Sequence, residues 1–218
     1  MHSVSVFLDY ANINAASTSG SCKVNYGELL RYLADDSEGR AIKVAYAYVP
    51  IDPRREHAMD ETISDLWGSG YIVRSKVGTL AGNSYKCDFD VEMTLDMVRT
   101  AFDIEPDIVV IASGDSDFIP VVELLRNKGI RVEVASFARS MSRLLDNRCS
   151  GSIYLDALIE DTLIECERSQ NEGMHPDVPV DSGESWSNNC CAFDNAPVNN
   201  RTSEENINII GEGSKSWQ

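Results

Sequence analysis

The order of apolar and polar positions predicts short strands that alternate with longer helices. Apolar, β-branched runs of strand length occupy residues 4–8, 42–49, 71–77, 107–112, 130–136 and 152–154. Helical spacing or helix boundary signals mark residues 26–34, 53–67, 88–101, 118–128, 140–145 and 156–165. Residues 78–84 are polar and predict a loop. Repeated strand–helix units predict an α/β fold in which helices cover both faces of a mainly parallel sheet.

Three local features sharpen this prediction. Asn25 is a candidate N-cap for the first predicted helix. In the third predicted helix, the spacing of Val91, Leu95 and Val98 predicts the buried face. The run at 107–112 is apolar almost throughout, which is typical of a central parallel strand.

The character of the chain changes near residue 166. Residues 166–218 are rich in Asn, Ser, Gly and acidic residues, have no sustained period, and hold 9 acidic against 3 basic side chains. Such segments bury too little apolar surface to fold. We therefore expect one domain over residues 1–165 and a disordered acidic, polar tail over 166–218.

The net charge narrows the classes of function. The chain has 19 basic and 35 acidic residues, a net charge of −16. Such a surface repels nucleic acid unless basic residues cluster or metal ions intervene. It excludes a simple electrostatic nucleic-acid binder but not a metal-dependent phosphodiesterase, whose site needs carboxylates.

The cysteines, histidines and apolar runs of the sequence indicate which metal sites and which cellular location to expect. The six cysteines form no CxxC pair and there are three histidines, so a structural zinc site is not expected. No apolar run reaches the ~18 residues of a membrane span. The first residues have no basic region, so we expect no signal peptide and a cytoplasmic location.

Acidic residues follow two of the predicted strands. Asp9 follows the strand at 4–8, and Asp115 and Asp117 follow the strand at 107–112. The carboxyl ends of parallel strands meet at one edge of a sheet, where ligands bind. Each Asp alone is also a common turn former, and Asp117 is a candidate helix cap as well. The joint pattern favours a site with three convergent carboxylates.

The chemistry of such a cluster favours a divalent cation. Neighbouring carboxylates repel one another and are stable together when protonated or neutralised by a cation. Oxygen ligands without His or Cys suit Mg²⁺ or Mn²⁺. These ions activate water and stabilise the oxygens of an in-line phosphoryl displacement.

Further polar residues are candidates for the same site. Asp88 and Asp90 start the third predicted helix, where acids also favour the helix dipole. At 100° per residue, Asp96 lies about 240° round the helix from Asp90, so a single metal is reached by one of them, and we favour Asp90. Asn12 and Ser113 are candidate supporting residues or ordinary turn formers.

These residues resemble the motifs of the NYN domain, in its LabA-like branch of the PIN-like nuclease superfamily. Three segments carry the resemblance: VFLDYAN at 6–12, KCDFDVEMTLDM at 86–97 and VIASGDSDFIPVVELLRNKGIRVEV at 110–134. The resemblance implies a three-layer α/β/α sandwich and metal-dependent RNA cleavage. It also implies metal-binding, catalytic roles for Asp9, Asp90, Asp115 and Asp117, with Asn12 supporting. Asp88 is an extra acid in the second segment, which leaves open whether Asp88 or Asp90 acts.

Three basic residues are candidate RNA contacts. Lys86 opens the second motif, while Arg139 and Arg143 are four residues apart and would share a helix face bordering the acidic edge. Solvent-exposed surface charge is the alternative interpretation for the two arginines.

Three hypotheses about function remain. The first is an Mg²⁺- or Mn²⁺-dependent endoribonuclease acting on single-stranded RNA. The second is a weakly active or inactive RNA- or protein-binding regulatory module with the same fold, which the negative charge favours. A phosphatase with Asp9 as nucleophile is disfavoured because Ala11 stands where that class usually has a second Asp. The sequence does not determine the oligomeric state.

Overall fold

Ten strands and six helices form the part of the chain that the computed structural model describes, which is residues 1–19, 22–34, 39–82, 84–158 and 164–166. The strands are β1 (His2–Asp9), β2 (Cys22–Val24), β3 (Arg40–Ile51), β4 (Ile72–Val77), β5 (Thr79–Ala81), β6 (Ser84–Lys86), β7 (Ile108–Ala112), β8 (Arg131–Ser136), β9 (Gly151–Tyr154) and β10 (Ile164–Cys166). The helices are α1 (Tyr10–Ser19), α2 (Tyr26–Leu33), α3 (Asp60–Gly68), α4 (Asp90–Asp103), α5 (Ile119–Asn127) and α6 (Arg143–Asp146).

The central sheet has the strand order β4-β3-β1-β7-β8-β9. All five pairings between these neighbours are parallel. β1 lies in the middle, between β3 and β7, and both its faces are covered. All carboxyl ends therefore lie at one edge of the sheet.

Helices pack on both faces of this sheet and create two hydrophobic cores. Buried residues of α1, α2 and α3 form one core with Val4, Val6 and Leu8 of β1. Buried residues of α4, α5 and α6 form the other, with Phe7 of β1. Alternate β1 side chains thus enter opposite cores, as strand geometry requires. The predicted α/β fold and three-layer sandwich are confirmed.

The main elements agree with the prediction. The six predicted strands are the six strands of the central sheet, with ends that shift by up to a few residues. Asn25 is the predicted N-cap of α2: its Oδ1 accepts hydrogen bonds from the backbone N–H groups of Gly27 (3.1 Å) and Glu28 (3.2 Å).

Three local predictions are wrong. α1 forms at residues where no helix was predicted; it was missed because its Ala, Asn and Ser residues give little contrast between an apolar and a polar face. The predicted loop at 78–84 contains β5, which pairs with β6 in an antiparallel hairpin. The helix predicted from residue 53 begins at Asp60, after a 3-10 turn at Glu56–Met59.

The prediction of a last helix at 156–165 is also wrong for the residues of this range that the structure describes, 156–158 and 164–165. Leu155–Leu158 form a 3-10 turn, and β10 pairs antiparallel with β2. Residues 159–163 lie outside the described residues. So does the predicted tail, 166–218, apart from Cys166.

The buried face of α4 differs from the expected one. Met93 and Met97 enter the core, whereas Val91 is 65% exposed and Leu95 is 51% exposed. The helix carries two apolar faces, and the sequence pattern identified the outer one. Among the helices described, none has the length and apolar character to cross a membrane.

Candidate metal centre

The ends of two neighbouring strands build the floor of the candidate site. Asp9 is the last residue of β1, and β7 ends at Ala112, which pairs with Leu8. The loop that follows β7 therefore begins beside Asp9. This places the acidic loop 113–117 at the edge where the sequence predicted it.

Two hydrogen bonds hold this loop to the end of β1 and the start of α1, and two local ones order each side. The Ser113 hydroxyl donates to Asp9 Oδ2 (3.0 Å) and accepts from the Asp115 N–H (3.3 Å). The Asn12 N–H donates to Asp9 Oδ1 (3.1 Å), and Asn12 Oδ1 accepts from the Gly114 N–H (3.0 Å). Asn12 and Ser113 thus fix the direction of the Asp9 carboxylate, and Ser113 also holds the backbone of Asp115.

The first residue of α4 completes the site from the side. A cavity of about 240 Å³ opens between this helix end, the β1 end and the acidic loop. It is lined by Asp9, Ala11, Asn12, Pro50, Cys87, Asp88, Phe89, Asp90, Met93, Asp115 and Phe118. Four of the predicted acids therefore lie round one space, with Asn12 beside them.

Two predicted acids lie elsewhere. Asp117 is exposed and does not line the cavity; its N–H donates to Asp115 Oδ1 (3.0 Å). Asp115, not Asp117, therefore caps the turn before α5. Asp96 accepts a hydrogen bond from the Tyr48 hydroxyl (3.0 Å) and lies 3.4 Å from Arg74 Nε, away from the cavity.

Several carboxylates lie close together in the cavity, and their burial and mutual repulsion raise the pKa of two of them. Burial raises the pKa of Asp9 above its ordinary value, and Asp115 adds to the rise, while hydrogen bonds from Asn12 and Ser113 oppose it. Burial also raises the pKa of Asp90, followed by repulsion from Asp115 and Asp88. Within the described part of the chain, neither Asp9, Asp90 nor Asp115 forms an ion pair with a basic side chain.

The donor set fits a hard divalent cation in its chemistry. Carboxylate and amide oxygens are the ligands that Mg²⁺ and Mn²⁺ prefer. The side chains stand apart, however: among the described residues, no three His, Cys, Asp or Glu side chains are close enough together to hold an ion. An ion would have to draw the carboxylates inward or keep several of its water ligands.

The three predicted basic residues lie on different elements of the fold. Lys86 belongs to β6 and lies 4.0 Å from Asp88. Arg143 begins α6, but Arg139 lies in the turn before it, with its guanidinium 5.0 Å from the centre of the Phe137 ring. The prediction that the two arginines share a helix face is therefore wrong, because α6 is only four residues long.

Several cavity residues were missed by the sequence analysis. Phe89, Met93 and Phe118 provide an apolar wall beside the acids. Pro50 lies near the carboxyl end of β3, and this position was the available signal. Cys87 donates its thiol to the Lys76 carbonyl (3.4 Å), and burial raises its pKa.

Comparison with known proteins agrees with the fold and the motifs. The chain is 29% identical over 161 residues to the "Low amplitude and bright protein LabA" of Synechococcus elongatus, which covers 70% of this chain and 83% of that protein. A crystal structure of a Vibrio parahaemolyticus protein of unknown function superposes with a TM-score of 0.61 and 24% identity, over 75% of this chain and 96% of the other. The family model described as "NYN domain" matches residues 3–156. The chain therefore belongs to the NYN domain family.

Proposed function

We propose that the domain is an endoribonuclease that cuts RNA phosphodiester bonds with Mg²⁺ or Mn²⁺ at the acidic cavity. NYN domains are nuclease-like and associated with RNA. The observation that carries the proposal is the convergence of Asp9, Asp90 and Asp115 on one cavity without a basic partner among the described residues. Their mutual repulsion is a cost that a bound cation removes.

The position of each acid suggests its role in binding the ion. Asp9, Asp90 and Asp115 would hold the ion, with Asp88 as the alternative to Asp90. Asp117 does not line the cavity, but its charge adds to the rise in the pKa of Asp90. Once bound, the ion supplies positive charge for the phosphate oxygens and lowers the pKa of a bound water.

The supporting residues keep the carboxylates in place. The Ser113 hydroxyl bonds Oδ2 of Asp9 and the Asn12 N–H bonds Oδ1, so the orientation of this carboxylate is fixed. Asn12 connects the start of α1 to the acidic loop through the Gly114 N–H. Groups of this kind around a metal site tune its affinity and geometry.

We propose single-stranded RNA as the substrate. The acids lie in a cavity of about 240 Å³, which a single flexible strand would enter more easily than a rigid duplex. Lys86 and Arg143 are exposed and would contact phosphates outside the cavity. Because the whole chain has a net charge of −16, a metal ion would be needed to bring RNA to this surface.

The test is metal binding and cleavage by the same protein samples. Wild type should bind Mn²⁺ in calorimetry and cleave a labelled single-stranded RNA, and Asp115→Asn should lose both. Asp65→Asn, an exposed Asp on α3 outside this cavity, is the matched control and should behave as wild type. Absence of Mn²⁺ binding to wild type, or full cleavage by Asp115→Asn, would refute the assignment.

The separation of the carboxylates favours a second candidate, a binding module without turnover. No metal-holding group is assembled among the described residues, and the net charge opposes RNA approach. This candidate predicts binding of RNA or a protein partner that is unchanged by Mn²⁺ and produces no cleavage. The same samples distinguish the two functions.

A further inference from the structure

The outer face of α4 carries an apolar stripe that the fold does not use. Val91, Leu95, Val98 and Phe102 are separated by four, three and four residues. At about 100° per residue they form one line along the helix, roughly 145° from the buried Met93 and Met97. A solvent-facing helix side is normally polar.

Exposure is large along this stripe. Val91, Leu95 and Phe102 keep 65%, 51% and 61% of their surface exposed, and Val98 is half-buried. Lys128 at the end of α5 lies 4.5 Å from the centre of the Phe102 ring without covering it. Leu124 on α5 and Leu144 on α6 are also exposed in the same layer. Contiguous apolar surface of this kind marks an interaction site.

We propose that this stripe is a dimer interface, in which α4 packs antiparallel against α4 of a second copy of the chain. The 4-3-4 spacing reads the same in both directions. A twofold axis between Asp96 and Met97 therefore places Val91 against the partner's Phe102, and Leu95 against the partner's Val98. Such self-complementarity is the requirement of a twofold interface.

The flanking charges fit the same arrangement. Glu92 and Arg99 lie on one side of the stripe. Glu92 already pairs with Lys76 of its own chain (2.5 Å), and antiparallel pairing also brings it towards the partner's Arg99, and the reverse. The Arg99 side chain is 72% exposed, and its ion pair with Asp96 is long, at 4.0 Å. On the other side, Thr94 is uncharged and Ala101 is buried in the core, so neither places a charge opposite the partner.

The interface is independent of the acidic cavity. It uses the outer side of α4, whereas the cavity is lined by Asp90 at the start of the helix and by the inward-facing Met93. A stripe this narrow is smaller than the interface of a permanent dimer, so we expect dissociation in the micromolar range, on the order of 1–100 μM.

Sedimentation velocity over a range of protein concentrations tests the proposal. Wild type should shift from monomer to twice the mass of 24.1 kDa as concentration rises. Leu95→Glu should stay monomeric in the same range, because it would bury a charge. Leu80→Glu is the matched control: Leu80 is exposed on the hairpin, and this variant should dimerise like wild type. A monomeric wild type, or dimerisation of Leu95→Glu, would overturn the interface.

The antiparallel register has its own test. Val98→Lys alone should also stay monomeric, because the new ammonium would be buried against the partner's Leu95 with no opposite charge beside it. A mixture of Leu95→Glu with Val98→Lys should form dimers again, since the new carboxylate lies opposite the new amine. Thermal melting of each variant verifies folding. A folded mixture that remains monomeric while wild type dimerises would overturn the antiparallel pairing.

Discussion

The Ser113 hydroxyl donates a hydrogen bond to Asp9 Oδ2 over 3.0 Å and so joins the carboxyl ends of β7 and β1. Ser113 is fully buried, and its hydroxyl oxygen also accepts from the Asp115 N–H. One buried hydroxyl therefore sets the positions of two acids that come from distant parts of the sequence. A hydroxyl can serve both partners at once: it donates its proton to the Asp9 carboxylate and accepts from the Asp115 N–H.

Ser113→Ala should weaken metal binding more than it weakens the fold. Asp9 loses the donor that lowers its pKa, so this carboxyl becomes harder to ionise. By analogy with other residues that orient metal ligands, Mn²⁺ affinity should fall by about 10- to 100-fold. Isothermal titration calorimetry measures the change.

Ser113→Thr is the control for this prediction. It keeps the hydroxyl at the same branch point and should recover most of the affinity lost in Ser113→Ala. Equal affinity in Ser113→Ala and wild type would show that the hydrogen bond to Asp9 does not position the metal ligands.

Asp90→Asn should stabilise the metal-free protein at neutral pH. The pKa of Asp90 is raised above 3.8 in the folded state by burial and by neighbouring acids. The folded state therefore binds a proton more tightly than the unfolded state, and the free energy of unfolding of wild type falls as pH rises from 3.8 through the folded pKa. Asp90→Asn should not lose stability in this pH range, because the Asn side chain does not ionise.

Thermal unfolding at several pH values, with a chelator present, measures the effect. The melting temperature of Asp90→Asn should exceed that of wild type at pH 7, and the gap should close as the solution is acidified below pH 3.8. Added Mn²⁺ should raise the melting temperature of wild type more than that of the variant. A gap that is independent of pH would contradict the electrostatic origin.

Asp96→Ala should reduce stability without removing the metal site. Asp96 accepts from the Tyr48 hydroxyl in the core and lies 3.4 Å from Arg74 Nε. Truncation leaves the buried Tyr48 hydroxyl without this acceptor, which costs about 1–3 kcal/mol. Urea denaturation measures the loss, and calorimetry should show Mn²⁺ binding as in wild type. A metal affinity that falls with Asp96 would place this residue in the site instead.

Much of the fold was predictable because the strands are apolar, short and bounded by polar residues. The helix at the end of β1 was missed for a physical reason: α1 holds Ala, Asn and Ser, whose pattern has little contrast between faces. The hairpin of β5 and β6 was missed because its side chains are mostly exposed and carry no burial pattern.

The candidate site was predictable where parallel strand ends fix the position of a residue. Asp9 and Asp115 follow adjacent strands, and topology brings them together. The distinction between Asp90 and Asp96 rested on helical periodicity, and the structure places Asp90 at the cavity and Asp96 beside Tyr48. Arg139 could not be placed, because the boundary of α6 depends on tertiary contacts of the loop before it.

Gly114→Ala should destabilise the domain through a close approach of two loops. A Cβ at Gly114 would lie inside van der Waals distance of the Ser140 carbonyl group and 2.9 Å from Ser136 Oγ. The Ser140 atoms belong to the backbone, and the neighbouring Ser142 N–H donates to the Gly114 carbonyl (2.9 Å). The loop cannot move away without breaking this bond, so overpacking of this kind costs about 1–3 kcal/mol.

The same strain should reach the metal centre. The Gly114 N–H donates to Asn12 Oδ1, so a displaced loop also pulls on the start of α1. We expect a lower urea midpoint together with weaker Mn²⁺ binding. Gly68→Ala is the control: a Cβ there meets open space at the end of α3, and Ala favours the helix. If Gly114→Ala is as stable as wild type, the two loops are not held together as tightly as this packing requires.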